Sequence, residues 1–235
     1  MPATGTNPRH NEKKSIRLTA DGFSFYPGQE VILVAGRSTW MPLAEFNPAC
    51  VQTIYNKVYA PADKPSVVRY NILPTLEVIE IWSVDKEVER QLTADHPNHR
   101  WLGVDGVVLE RISNYERQRG SSPQSSSLIA SSRRPSGRRL YAYSHDGELF
   151  VFSFADGSLY YANSFWPATD EEARYYLFGV WQRLNFDPEK DELLLISYDA
   201  MLPLLQPYIR HIAILTPSML RLHDTEGLPF DLLCV

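Results

Sequence analysis

The sequence predicts an α/β protein built on mixed sheets with helices packed on the sheet faces. Three observations lead there. Two Asp-Gly turns, at Asp146-Gly147 and Asp156-Gly157, each join aromatic and β-branched runs, the pattern of a three-stranded meander. A helix with an N-terminal capping signature follows that meander. Beyond it lie two apolar runs of strand length, ELLLISY and HIAILT, as expected for strands buried on both faces.

The second half of the chain is the more legible. Arg139–Ser144, Glu148–Ala155 and Ser158–Phe165 alternate with period two and form the meander. Thr169 is placed to cap a helix, with Glu172 three residues on. In that helix Ala173, Tyr176, Leu177, Val180, Trp181 and Leu184 fall on one continuous apolar face. Asp187-Pro188 ends it. Glu192–Tyr198 is a buried strand, Ala200–Arg210 a short helix, and His211–Thr216 a further strand. The half reads βββαβαβ, a meander extended by αβ units into one mixed sheet.

The first half echoes this order. Ser15–Thr19, the turn Ala20-Asp21-Gly22 and Phe23–Tyr26 form a hairpin, and Val31–Ala35 is another strand. Pro42 to Tyr59 is expected to carry a helix, with Asn47-Pro48 at its cap and first turn. Ser66–Leu73 and Leu76–Val84 are strands broken by Pro74. Asp85 is expected to cap a helix through Thr93, and Arg100–Val104 to be a strand. Asp105 is expected to cap a helix running to Arg119. Between the halves, Gln118–Arg139 holds eight Ser, five Arg and no acidic residue, too little apolar surface to offset the entropy of ordering. The expected organisation is a polar tail over 1–14, a first domain over 15–117, a linker over 118–138 and a second domain over 139–235.

Composition narrows the function classes. The chain has 235 residues, 44% hydrophobic and 22% charged, an ordinary globular profile. A net charge of −5 supplies no global basic field for nucleic acid or an anionic membrane. Two cysteines, Cys50 and Cys234, cannot make a disulfide framework and point to a reducing, cytoplasmic setting. Cys50, beside Val51 on an expected helix, reads as core. The N-terminal stretch has no apolar h-region, and no run reaches the ~18 apolar residues of a membrane span. The 13 Tyr, 10 Phe and 5 Trp include Tyr160-Tyr161, Phe165-Trp166 and Tyr175-Tyr176, with few basic residues interleaved. That pattern reads as core packing plus a protein-binding surface rather than a nucleic-acid stacking platform.

The stretches SIRLTADGFSF, RYNILP, LYYANSF, YYLFGVWQRLNFDPEKDELLLIS and PFDLL resemble an uncharacterised bacterial family with the actin-like ATPase fold. That is the fold of actin, sugar kinases and chaperone ATPases, with two ribonuclease-H-like domains. The resemblance implies a trimmed first domain, because few residues separate the first hairpin from the strand at Val31. It also implies where a nucleotide site would lie: a phosphate-cradling hairpin in each domain, with an adenosine position after the strand Leu193–Ile196. Asp21 and Gly22 stand in the first hairpin, Asp146 and Gly147 in the second, and Ser197, Tyr198 and Asp199 at the adenosine position.

Those elements are degraded in this chain. Phe23 sits where a phosphate loop needs small residues. The strand before the second turn carries Tyr141 and Tyr143 instead of a carboxylate, and Glu148 would face a phosphate with negative charge. Tyr198 stands where a Gly-Gly pair would admit the base. The carboxylate set of a two-metal nuclease is missing, and His96-Pro97-Asn98-His99 reads as a polar loop. The expectation is therefore a non-catalytic actin-like scaffold that binds another protein, with no nucleotide, cofactor or metal and no catalytic residue. The alternatives are an ATPase or kinase with a non-standard site using Asp21, Asp146 and Asp199, and nucleic-acid contact through Arg133, Arg134, Arg138 and Arg139. The first alternative requires those aspartates to converge on an open cleft; Tyr143 or Tyr198 filling it would count against it.

Overall fold

A computed structural model describes residues 14–19, 22–27, 30–36, 38–58, 65–121 and 137–216. Three sheets organise them. The second half forms a five-stranded sheet from β8 (Arg139–His145), β9 (Glu148–Ala155), β10 (Ser158–Phe165), β11 (Glu192–Ile196) and β12 (His211–Leu215). Its order is β10-β9-β8-β11-β12. β8, β9 and β10 run antiparallel as a meander, and β11 lies parallel to both β8 and β12. Both Asp-Gly turns place both residues at positive φ, with Asp146 at 45°, Gly147 at 74°, Asp156 at 52° and Gly157 at 81°. That is the primed turn geometry whose twist matches paired strands.

The helix between β10 and β11, α4 (Asp170–Arg183), begins as the sequence indicates. Thr169 Oγ1 accepts from the Glu172 N–H at 3.2 Å, while the Glu172 carboxylate accepts from the Ala168 N–H at 2.8 Å. Its apolar face packs on one side of the sheet with α5 (Leu202–Leu205), around Leu140, Leu149, Val151, Leu193 and Leu195.

The first half divides between two sheets. β1 (Lys14–Thr19), β2 (Gly22–Pro27), β3 (Val31–Val34) and β7 (Arg100–Gly103) form a four-stranded sheet in the order β2-β1-β3-β7. It pairs β1 antiparallel to β2 and parallel to β3, as β8 pairs with β9 and β11. Among the described residues it has no counterpart of β10, so β2 is an edge strand that exposes Phe23 and Phe25. A separate three-stranded sheet, β4-β6-β5, is formed by β4 (Thr39–Pro42), β5 (Ser66–Leu73) and β6 (Val78–Asp85).

Several sequence expectations are corrected here. The helix expected from Pro42 is shorter, because Pro42 ends β4 and two 3₁₀ turns precede α1 (Val51–Val58). Asn47 caps the second of those turns by accepting from the Ala49 N–H at 3.0 Å. Cys50 is exposed, not core, because it lies on that turn before the helix's buried face begins at Val51. Asp85 does cap α2 (Lys86–Asp95), accepting from the Glu87 and Val88 N–H groups. Asp105 does not cap the next helix. α3 (Val104–Ser121) already includes it, and its carboxylate turns to partners in the second half. α3 also runs past Gln118, into the stretch read as linker. Gly137 and Arg138, at that stretch's other end, lie against Asp191, whose Oδ1 accepts from the Arg138 N–H at 2.7 Å.

The two halves share one core. α3 is buried on nearly every face from Val104 to Ser113. Val104, Val108, Leu109 and Ile112 join Leu33 and Leu102 of the first sheet to Tyr141, Tyr143, Phe150 and Phe152 of the second. A helix buried on nearly all its faces is enclosed on both sides, even where it carries Asp105 and Arg111 inward. Trp40 of β4 stacks on Phe150 of β9, ring centroids 5.9 Å apart, across the same junction.

Candidate functional site

Charged groups gather where the first-half sheet, α3 and the β8–β9 turn meet. Arg17 of β1, its side chain 3% exposed, pairs with Asp146 of the turn at 2.7 Å. His145, at the end of β8, has its ring buried; its Nε2 lies 3.1 Å from Asp105 Oδ1 and 3.6 Å from Glu148 Oε2. Ser164 of β10 donates to Asp105 Oδ2 at 3.1 Å. Glu80 of β6 completes the group, fully buried, with its Oε1 accepting from Ser38 Oγ at 3.0 Å and from the Gly106 N–H at 2.9 Å.

Local structure explains why each group reaches the junction. The primed turn at Asp146-Gly147 sets His145 and Glu148 opposite each other as the last pair of the β8–β9 ladder. Asp105 lies in the first turn of α3, directly after β7. Glu80 occupies the middle of β6 between the fully buried Ile79 and Ile81. Room for its carboxyl comes from Gly103 and Gly106, since a Cβ on either would overlap Glu80 oxygens.

Burial and mutual repulsion dominate the electrostatics. Desolvation, then the Asp105 charge, pushes the Glu80 carboxyl up to about 8, against the Gly106 and Ser38 hydrogen bonds. Desolvation, then Asp105, also raises Glu148, opposed by His145 and the Ser164 hydroxyl. For His145, burial favours the neutral ring, but the Asp105 hydrogen bond and the charges of Asp146 and Glu148 outweigh it and lift the ring to about 9. The neighbouring His145 ring, 3.9 Å away, and the Arg17 guanidinium hold Asp146 below the usual carboxylate range. Two buried oxygens, Glu80 Oε2 and Glu148 Oε1, have no hydrogen-bond partner. Asp105, His145 and Glu148 each offer a ligand atom, all within 4.8 Å of one another, and are the group among the described residues that could hold a metal ion.

The residues singled out from sequence do not assemble into one site. Asp21 lies outside the described residues. Gly22, at φ 143°, opens β2 opposite Thr19. Asp146 is tied to Arg17, and Gly147 supplies the turn. Ser197, at φ 53°, and Asp199 are exposed beyond β11, and Tyr198 donates its hydroxyl to Asp170 of α4 at 2.9 Å. Tyr143 is fully buried in the shared core. Of the four linker arginines, Arg139 pairs with Glu116 and Glu192 and Arg138 with Asp191. Arg133 and Arg134 lie outside the described residues.

Sequence reasoning missed Glu80, Asp105, His145 and Glu148 as a group. One signal was present: a lone charge inside the apolar run VIEIW, with two glycines three apart in GVDG to receive it.

Comparison with known proteins gives a family and a fold. Residues 29–212 match the model of a protein family of unknown function, DUF3822. No curated protein matches the chain. A solved structure from Bacteroides thetaiotaomicron VPI-5482, described as a protein with actin-like ATPase fold and unknown function, superposes with a TM-score of 0.68. It is 23% identical, over 86% of this chain and 90% of that one.

Two predictions follow from Glu80. Gly106→Ala should destabilise the protein by about 1–3 kcal/mol through overpacking, although alanine in a helix is intrinsically favoured by about 1 kcal/mol. A double-mutant cycle with Glu80→Ala, read by urea denaturation, should recover most of that loss. In the unfolded chain Glu80 ionises near the ordinary glutamate value of 4.5, but in the fold only at about 8. Its contribution is therefore complete below pH 4.5 and is lost as pH rises to about 8, at about 1.4 kcal/mol per pH unit. Glu80→Gln should flatten the stability–pH curve across that window, with its stability relative to wild type rising toward pH 8.

Proposed function

We propose that this chain, which belongs to the DUF3822 family of proteins of unknown function, is a non-catalytic actin-like scaffold that binds another protein. The observation that carries the reading is the filled junction. Actin-like enzymes close two domains over a nucleotide, and their hairpin turns must present free backbone N–H groups to phosphates. Here the corresponding space holds Tyr143, Phe150 and the buried start of α3. The second turn points Asp146 and Glu148 into it. Opening a nucleotide site would expose that core and separate Arg17 from Asp146.

The binding surface lies on the other side of the second sheet. Between α4 and the segment after α5, Tyr175, Phe178, Trp181, Phe186 and Tyr208 line a groove of about 610 Å³. Tyr175 and Tyr208 are 73% and 59% exposed. Aromatic side chains of this kind anchor protein interfaces because they bury large area at small entropic cost. No helix among the described residues is long and apolar enough to cross a membrane, and we place the scaffold in the cytoplasm.

Thermal denaturation with ATP and Mg²⁺ tests the first part. A nucleotide at ~100 times its Kd would raise the midpoint by about 5–10 °C for a chain this size. The scaffold reading expects no shift at millimolar ATP, and a shift of that size refutes it. For the second part, Tyr175→Ser with Tyr208→Ser should leave the melting midpoint unchanged but abolish one protein cross-link formed by the wild type in extract of its own host. Identical cross-link profiles would place the interface elsewhere.

A further inference from the structure

We propose that Asp105, His145, Glu148 and Ser164 form a closed structural site for one divalent transition cation, Zn²⁺ fitting best, which clamps the two halves together. The donors are Asp105 Oδ1, His145 Nε2 and Glu148 Oε2, with the Ser164 hydroxyl as fourth. An ion about 2.0–2.2 Å from each ligand requires donor atoms about 3–3.5 Å apart. The distance of 3.1 Å from His145 Nε2 to Asp105 lies within that spacing, and the 3.6 Å to Glu148 lies just beyond it. The third side of the set also stays within 4.8 Å.

Hydrogen bonding alone leaves the group incomplete. His145 Nε2 carries at most one proton, and it is within hydrogen-bond distance of Asp105 only. Glu148, its side chain 2% exposed, is left with Oε1 unpartnered inside the protein. Nearby, Glu80 Oε2 is also buried and unpartnered. Two buried carboxyl groups beside one imidazole are costly to leave unmatched. A divalent cation binds Asp105 Oδ1, Glu148 Oε2 and the ring nitrogen at once and offsets the carboxylate charge, while Glu148 Oε1 and Glu80 Oε2 lie outside its ligand set.

Other features fit a structural role. All three ionisable ligands are buried, which suits a closed site with no open position for substrate. Asp105 belongs to α3 of the first half, while His145 and Glu148 belong to one turn of the second. Behind the ring, His145 Nδ1 faces Asp146 at 3.9 Å, and Asp146 is itself fixed by Arg17. That distance is too long for a hydrogen bond, and the buried Nδ1 has no hydrogen-bond partner. A nitrogen and three oxygens in a small enclosed space suit Zn²⁺ better than Ca²⁺, which takes six to eight oxygens, or Mg²⁺, which retains waters.

The test uses the full chain, purified without a metal-affinity column. Elemental analysis should find close to one equivalent of zinc. Stripping it with a chelator should lower the melting midpoint, and Zn²⁺ alone should restore it, with a rise of about 5–10 °C at ~100 times Kd. Glu148→Gln and His145→Gln should each weaken Zn²⁺ binding at least about 100-fold, the upper end for losing even an outer partner. His96→Ala, at the half-buried histidine pair outside the cluster, should leave it unchanged. Zinc-free protein with no midpoint shift on adding Zn²⁺, or binding unaffected by Glu148→Gln, would overturn the site. Should both ligand variants fail to fold, the wild type loaded with Co²⁺ decides: intense visible bands of four-coordinate cobalt support the site, and a weak six-coordinate spectrum overturns it.

Discussion

Charge buried between two hydrophobic halves is the constraint on which this structure turns. Arg17, Asp146, His145, Asp105, Glu148 and Glu80 lie in or beside a core of Tyr143, Phe150, Leu102 and Val108. Removing such groups from water costs several kcal/mol each unless partners compensate. Compensation requires the β1, β6 and β8–β9 segments and the start of α3 to hold their positions together. A shift of one half against the other would separate Arg17 from Asp146 and Asp105 from His145 at the same moment. The junction is thus fixed by polar geometry as well as by apolar area.

Apolar packing closes the same junction: large rings fill the space between the halves, and the second turn contributes side chains to internal pairs. Trp40 on Phe150 and Tyr141 on Phe152 are stacked contacts of the kind found in packed cores. Tyr141 also donates to Glu116 of α3, so the ring set is tied to the helix by a hydrogen bond as well as by packing.

The first-half sheet pairs its strands by the same rules as the second with fewer described strands. β1 retains an antiparallel neighbour and a parallel neighbour, as β8 does. The described sheet has nothing beyond β2, and the chain passes almost directly to β3. The β4-β6-β5 sheet partly offsets this, since β6 carries Trp82 and Val84 into the core of β1 and β3. β6 also carries Glu80 to the junction. A strand outside the main sheet thereby supplies the most deeply buried acid of the site.

The second half was legible because its signals are local. Asp-Gly between aromatic runs demands a primed turn, Thr169 with Glu172 marks a helix start, and ELLLI can be satisfied only by burial on both faces. Each signal lies within a few residues, and period and turn chemistry report it directly. The same locality carries the expectation that the phosphate-loop positions are degraded, through Phe23, Glu148 and Tyr198. What the tertiary structure alone decided was which buried charges meet. Asp105 and His145 are 40 residues apart, Ser38 and Glu80 are 42 apart, and Arg17 and Asp146 are 129 apart. Periodicity says that a position is inside; it carries no information about its partner across the core. Asp105 therefore read as a helix cap, and Glu148 as a misplaced charge, until the packing of α3 between the two sheets brought them to the same imidazole.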